Sequence, residues 1–252
     1  MCMPNPHRET AISALVERNW QTAGDAYTRA AHRDLGDGER GDGSGGDVLA
    51  PGARDRPAAG LSFLLTAGLC YRLAGAEDRA RYRALTVAPL ALDARDHVRD
   101  GVARAVCQEF VADAAVIRGA EDAAADAYDR AERLYRANHP DDPLGVATDP
   151  LFDAANGLLL HASRNYRGVE WDDLHGPDPE GEDYLAHRPR YKSRTLPEAV
   201  DRVLEAGQLH LPRGSTEYNN DTYRCPDCGE HDVNYVGGET VCLYCSVRVE
   251  ER

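Results

Sequence analysis

Four cysteines near the C-terminal end constrain this chain more than any other feature. They stand as Cys225-Pro226-Asp227-Cys228, thirteen intervening residues, then Cys242-Leu243-Tyr244-Cys245. Two Cys-x-x-Cys pairs at this separation match a four-thiolate structural zinc site. Each pair grips an ion from a tight turn, and the stretch between them forms strands that bring the pairs together. Gly229, Gly237 and Gly238 supply the flexible turn positions such a module needs. Four thiolates complete a tetrahedral shell and leave no position for water or substrate. The expected role of one zinc ion held by Cys225, Cys228, Cys242 and Cys245 is therefore architectural.

Charge composition is the second constraint. The chain carries 43 acidic against 29 basic residues, for a formal charge of -14. Of the basic residues 28 are Arg and only Lys192 is Lys, while 26 of the acids are Asp. This resembles the protein style of a salt-adapted, haloarchaeal cytoplasm, where short hydrated carboxylates keep proteins soluble and salt screens their repulsion. In such a setting an acidic surface does not imply a basic partner. It also gives no support to a nonspecific grip on nucleic acid, which depends on neutralising phosphates.

At 252 residues the chain can hold one substantial core plus a small module. No apolar run reaches the roughly 20 residues that span a bilayer. The first residues lack a basic patch followed by an apolar signal core, so a cytoplasmic location is the expectation. Cys70 and Cys107 lie in apolar helical patterns and read as small core residues.

Helical periodicity dominates the first two thirds. Ile12, Leu15, Val16, Trp20 and Ala23 begin an amphipathic pattern that continues through Tyr27, Ala30 and Ala31. Seven glycines between Gly36 and Pro57 break it, which predicts a mobile insert over 36–57. Helix resumes near Ala58 and runs through Leu73, and further helices are predicted from about Asp78 to Leu92 and over 98–118 and 121–138. Ala23 to Tyr27 recurs 44 positions later as Ala67 to Tyr71, and at the same interval Gly68 is followed by Ala112 and Gly75 by Gly119. A unit of this length suits a helical hairpin stacked into an array.

Trp20-x-x-Ala23-Gly24-x-x-Tyr27 resembles the first helix of a tetratricopeptide repeat. Ala67-Gly68-x-x-Tyr71-x-x-x-Gly75 resembles the same helix with its turn, and Ala124-x-x-x-Tyr128-x-x-Ala131 resembles the second helix. The chain departs from the 34-residue period usual in that family. The resemblance implies a mainly α fold, either a tetratricopeptide-like array or a helical bundle, that binds protein segments. Residues 222–252 separately resemble a zinc ribbon, which adds a small β module at the C-terminal end.

Between these parts, Leu151 to Ser163 reads as one helix and 168–182 as loop. Trp171 in that loop is expected to cover a core edge. Pro197 is expected to open a short helix that Gly207 ends. The predicted domains are thus a helical body over 10–207, a linker over 208–221 and the ribbon over 222–252. His187 to Arg194 is a compact basic stretch. It can meet an external anion or nucleic-acid backbone, or pair with the protein's own acidic helices.

Enzyme signatures are missing. The chain has no phosphate loop ending in Lys-Ser or Lys-Thr and no His-Glu-x-x-His site. His97, His161 and Glu109 sit in helical patterns without diagnostic spacing, and His231 lies inside an already complete cysteine set. The expected function is a noncatalytic protein-interaction scaffold with a structural zinc. The alternative is a nucleic-acid-associated or transcription-related adaptor using residues 187–194 and the ribbon. Residues 221–252 carry seven acids against Arg224, Arg248 and Arg252, which favours a protein partner.

Overall fold

A computed structural model describes residues 5–37, 55–163 and 168–251. Six long helices come first: α1 (Pro6–Val16), α2 (Trp20–Asp37), α3 (Asp55–Leu73), α4 (Glu77–His97), α5 (Gly101–Ile117) and α6 (Glu121–Ala137). Four short helices follow, α7 (Pro143–Ala147), α8 (Pro150–Ala154), α9 (Gly157–Ser163) and α10 (Trp171–Leu174), and then the long α11 (Asp183–Ala206). Five short strands close the chain: β1 (Ser215–Glu217), β2 (Tyr223–Arg224), β3 (Val233–Val236), β4 (Glu239–Cys242) and β5 (Glu250–Glu251). The fold is mainly α with a small antiparallel β module, as the sequence predicts.

The six long helices form three hairpins, and one turn chemistry builds all of them. Each turn puts a single residue in the left-handed region, Arg18 (φ 53°), Gly75 (φ 69°) and Gly119 (φ 67°). The next N–H in each case reaches back to a carbonyl five residues earlier: Asn19 to Ala14 at 2.9 Å, Ala76 to Tyr71 at 2.8 Å and Ala120 to Ala115 at 2.9 Å. This is the Schellman closure of a helix C-terminus, which satisfies carbonyls the helix leaves unpaired. Arg18 accepts the conformation without the freedom of glycine, at a cost that the packed hairpin offsets.

These turns correct the expected repeat frame. Gly75 and Gly119 are equivalent, as are Gly68 and Ala112. Trp20 to Tyr27, however, opens the second helix of the first hairpin, while Ala67 to Tyr71 lies on the first helix of the second. The 44-residue match between them joins neighbours, α2 and α3, that pack directly on each other. The pattern also runs across 17–19, where the chain turns, because core-facing residues on both arms of a hairpin continue the apolar count. Of the insert expected over 36–57, Gly36 and Asp37 end α2 and Asp55 begins α3, while 38–54 lie outside the described residues.

Consecutive helices stack in order from α1 to α6, and α11 lies against α6 and α5. Glycines permit close crossings, as at Gly24 and Gly68. A Cβ on Gly24 would meet the Tyr71 ring at 2.8 Å, and one on Gly68 would meet Ile117 Cγ2 at 2.8 Å. Tyr71 itself is buried and its hydroxyl donates to Asp25 at 2.6 Å, so the ring fills the space that Gly24 leaves.

Helix α11 is longer than the sequence suggested. It begins at Asp183 rather than near Pro197, and Pro189 and Pro197 both lie inside it. A helix-interior proline removes a backbone hydrogen bond and costs about 3 kcal/mol or more. Burial of Tyr184, Leu185, Ala186, Tyr191 and Leu196 along this helix offsets that cost. The opposite difference occurs at 151–163, expected as one helix and found as α8 and α9 separated at Ala155 and Asn156.

Strands β1, β3 and β4 form one antiparallel sheet in the order β1-β3-β4, and β2 pairs with β5. The segment 208–221, expected to be a linker, supplies β1, whose Ser215 to Glu217 pair with Tyr235 to Val233. Leu209, His210 and Leu211 in the same segment are buried. The hairpin of β3 and β4 also touches α1. Its Gly237 (φ 58°) leaves so little room that a Cβ would meet Ile12 Cδ1 at 2.7 Å, and Ser13 Oγ donates to Glu239 at 2.7 Å. Val236 and Val241 join the main hydrophobic core. The ribbon is therefore packed onto the helical body, and a stretch of polar residues that looked like spacer is part of the contact.

Candidate metal centre and the buried ionic network

Backbone turns bring the four cysteines together. In the first knuckle the Cys228 N–H points at Cys225 Sγ (3.5 Å), and Gly229 (φ 77°) donates to the Cys225 carbonyl at 3.0 Å. The second knuckle repeats this: the Tyr244 N–H points at Cys242 Sγ (3.4 Å), and Ser246 (φ 58°) donates to the Cys242 carbonyl at 3.0 Å. Ser246 stands where glycine would be easiest, and its hydroxyl compensates by accepting from the Leu211 N–H at 3.2 Å. Gln208 reaches the Cys245 carbonyl at 3.3 Å. The second knuckle is thus held from the 208–211 segment.

One sulfur from each of Cys225, Cys228, Cys242 and Cys245 lies within 4.8 Å of the other three. A tetrahedral zinc with Zn–S near 2.3 Å places sulfurs about 3.8 Å apart, and Cys228 Sγ and Cys242 Sγ are 3.6 Å apart. The donor set and its spacing fit zinc. Cys225 and Cys242 are buried, while Cys228 is exposed and Cys245 is half-buried. Burial raises the Cys225 thiol, but the Cys228 and Asp227 N–H groups outweigh it and hold the pKa below the ordinary value. Burial pushes Cys242 up to about 11 and raises Cys245 as well. Adjacent thiolates repel, so ionising all four depends on a divalent cation at their centre. His231 is absent from this cluster and its Nδ1 faces the Tyr223 carbonyl at 3.1 Å.

A second constellation lies inside the helical body, and the sequence patterns did not reveal it. Helix α5 presents Glu109 and Asp113, α6 presents Tyr128 and Tyr135, and α11 presents Arg188 and Lys192, each pair on one helix face. Arg188 uses all five donors. Nε and Nη2 hold Glu109 at 3.0 and 2.6 Å, Nη2 also meets the Tyr135 hydroxyl at 2.9 Å, and Nη1 reaches the Phe152 carbonyl at 2.6 Å and Asn156 Oδ1 at 3.2 Å. The guanidinium carbon also sits 3.3 Å from the centre of the Phe152 ring. Lys192 Nζ donates to Asp113 (2.7 Å) and to the Ala155 carbonyl (2.8 Å), and forms an ion pair with Glu109 at 3.4 Å. Both cations and both carboxylates have side chains 0 % exposed.

This network explains two departures from the sequence reading. The carbonyls of Phe152 and Ala155 turn to Arg188 and Lys192, which breaks the helix expected over 151–163. The basic stretch 187–194 faces inward at its centre. Arg188, Tyr191 and Lys192 are buried, Arg190 meets Glu132 and Asp183, and Arg194 is exposed. Of the roles open to that stretch, pairing with the protein's own acidic helices is the one found. Burial opposes ionisation of Glu109, but Arg188 and then Lys192 hold its carboxyl below the usual range. For Asp113 burial prevails over Lys192, and its pKa is raised. A signal was present in the sequence: Glu109 and Asp113 interrupt the apolar run of α5 from Val106 to Ile117, and the chain's single lysine sits four residues after Arg188.

The remaining candidates do not converge. His97 is exposed and paired with Asp93, whereas His161 is buried with its Nδ1 2.9 Å from the His210 carbonyl. Trp171 opens α10, is 48 % exposed and stacks on His175 at 3.9 Å between ring centres. It covers a core edge, as expected. His175 is buried, and that burial holds its imidazole pKa below the ordinary value, against a hydrogen bond to the Trp171 carbonyl that raises it. A histidine of this kind stabilises the fold fully above its unfolded pKa near 6.5 and loses that contribution as pH falls through the lower folded value. Trp171 fluorescence is therefore expected to report loosening of α10 as pH drops below 6.5. In His175→Phe the transition should vanish, since neutral Phe keeps the stack. A transition of unchanged midpoint and amplitude in that variant would assign it elsewhere, with His187 next to be tested.

Comparisons with protein-family models, with curated proteins and with solved structures give no match to this chain. Among the described residues, no helix is long and apolar enough to cross a membrane.

Proposed function

We propose that the chain is a noncatalytic protein-interaction scaffold of the cytoplasm, with one structural zinc held by Cys225, Cys228, Cys242 and Cys245. The observation that carries this reading is the division of its side chains. Glu109, Asp113, Arg188 and Lys192, the groups best suited to acid–base or electrostatic chemistry, are sealed in mutual pairs. Large apolar groups instead face outward, among them Tyr82, Leu85, Tyr218 and Tyr244. Three hairpins with the same turn support a divergent tetratricopeptide-like array, a design whose stacked helices present extended surfaces to protein segments. Zinc and the ionic network keep those surfaces in fixed relation, which lowers the entropy lost on binding.

The test is affinity capture with the full chain at high salt, with and without nuclease, followed by mass spectrometry. The expected result is a stoichiometric protein partner retained after nuclease treatment. Recovery that disappears with nuclease would replace this function with the nucleic-acid adaptor. Full-length protein is needed because the 208–211 segment grips the second zinc knuckle.

A further inference from the structure

Two neighbouring cavities of about 370 and 490 Å³ share Gly157, Leu160, His161 and Pro212 in their walls. They form one groove across the junction of the first helices, α9 and the ribbon. At its helical end the wall includes Arg8, Tyr27 and Phe63, and at its ribbon end Arg213, Tyr218 and Tyr244.

The helical end combines a buried tyrosine hydroxyl with an arginine. Tyr27 is 1 % exposed, yet its hydroxyl has no hydrogen-bond partner. A buried donor left without an acceptor costs about 1–3 kcal/mol, so such a group invites a ligand. Arg8 lies close enough to pull against the rise that burial imposes on the Tyr27 hydroxyl. Among the described residues no carboxylate comes within ion-pair distance of Arg8, in a chain with a formal charge of -14. Exposed Asp55 and Asp153 also line this end. They would repel a run of acids but tolerate one carboxylate inserted between Arg8 and Tyr27.

The ribbon end is apolar and open. Leu160 is 41 % exposed, Tyr244 47 % and Tyr218 54 %. Arg213 and Tyr218 flank β1, which is an edge strand of its sheet. An edge strand has backbone donors and acceptors on one side without a ladder partner, and an extended peptide can use them.

Resting on the scaffold reading, we propose that this groove docks an extended segment of a partner protein. The segment would place one Asp or Glu side chain between Arg8 and the Tyr27 hydroxyl, and a large apolar side chain over Leu160, Tyr218 and Tyr244. The carboxylate gives register and the apolar residue gives most of the buried area.

The test uses a library of heptapeptides with acetylated and amidated ends, so that side chains carry the only carboxylates. Folded full-length protein should enrich peptides with a single Asp or Glu set apart from a Leu, Phe, Tyr or Trp. Arg8→Gln should weaken the best peptide about tenfold and erase the preference for the acid over its amide. Tyr27→Phe should weaken it without loss of stability, because the hydroxyl has no partner to lose. Leu160→Asp, at an exposed position, should abolish enrichment. No enrichment above that seen with Leu160→Asp would overturn the proposal, as would enriched peptides indifferent to Arg8→Gln. If Arg8→Gln and Leu160→Asp still capture the same stoichiometric protein as the unaltered chain, the scaffold function stands and the groove is not its site. If neither peptide nor protein is retained by the unaltered chain, both fall.

Discussion

Cys242→Ser is expected to reduce bound zinc from about one ion per chain to well below that and to unfold the ribbon. Structural zinc contributes about 10–16 kcal/mol to small domains that depend on it. The module has little else of its own. Its strands are two to four residues long, and β4 ends on Cys242 itself, opposite Val233. The helical body should keep its far-ultraviolet signature, since its core is built from other segments. Metal content after gel filtration, together with amide spectra of the ribbon, checks both statements. Cys70→Ala, which alters a buried thiol far from the cluster in sequence, should leave zinc content unchanged. A Cys242→Ser protein with full zinc and native ribbon signals would remove this residue from the site.

Arg188→Met is expected to have the largest effect on the helical body, about 3–5 kcal/mol in denaturant unfolding. The change leaves Glu109 buried with Lys192 as its remaining cation, and it strands the Phe152 carbonyl and Asn156. The double variant Glu109→Gln with Arg188→Met should recover part of that loss, because the unpaired charge is gone. A loss below about 1 kcal/mol, the range of exposed ion pairs, would mean the network is not sealed from water. The pair also has a pH signature. Glu109 has a lowered folded pKa, so its contribution is present above its unfolded value near 4.5 and is lost as pH falls through the folded value. Asp113 has a raised folded pKa and acts in the opposite sense, easing acid stress as it takes up a proton. Glu109→Gln should therefore remove the steeper part of the acid transition.

The substitution Lys192→Arg would not be conservative here. The ammonium meets three acceptors from a single atom, and a planar guanidinium cannot reproduce that arrangement in the same volume. This gives a physical reason for the one lysine in a chain that otherwise uses arginine. Composition displayed that exception, and only the packing of α5 against α11 shows what it does.

Sequence by itself determined the local chemistry. The Cys-x-x-Cys pairs fix where the knuckles form, because each is a turn whose N–H groups point at a sulfur two or three residues away. Apolar periodicity fixed the helices from α3 to α6, and Gly75 and Gly119 marked their turns, because these signals act within one or two helical turns. Tertiary structure decided what depends on distant partners. Pro189 and Pro197 sit inside α11 because burial outweighs their local cost, and 151–163 breaks because two of its carbonyls serve cations 36 and 37 residues onward. Residues 208–221 read as spacer from their turn formers, yet they bury Leu209 and Leu211 and hold Ser246. A basic stretch reads the same whether it faces water or carboxylates, and Glu109 and Asp113, 79 residues from their partners, chose between the two.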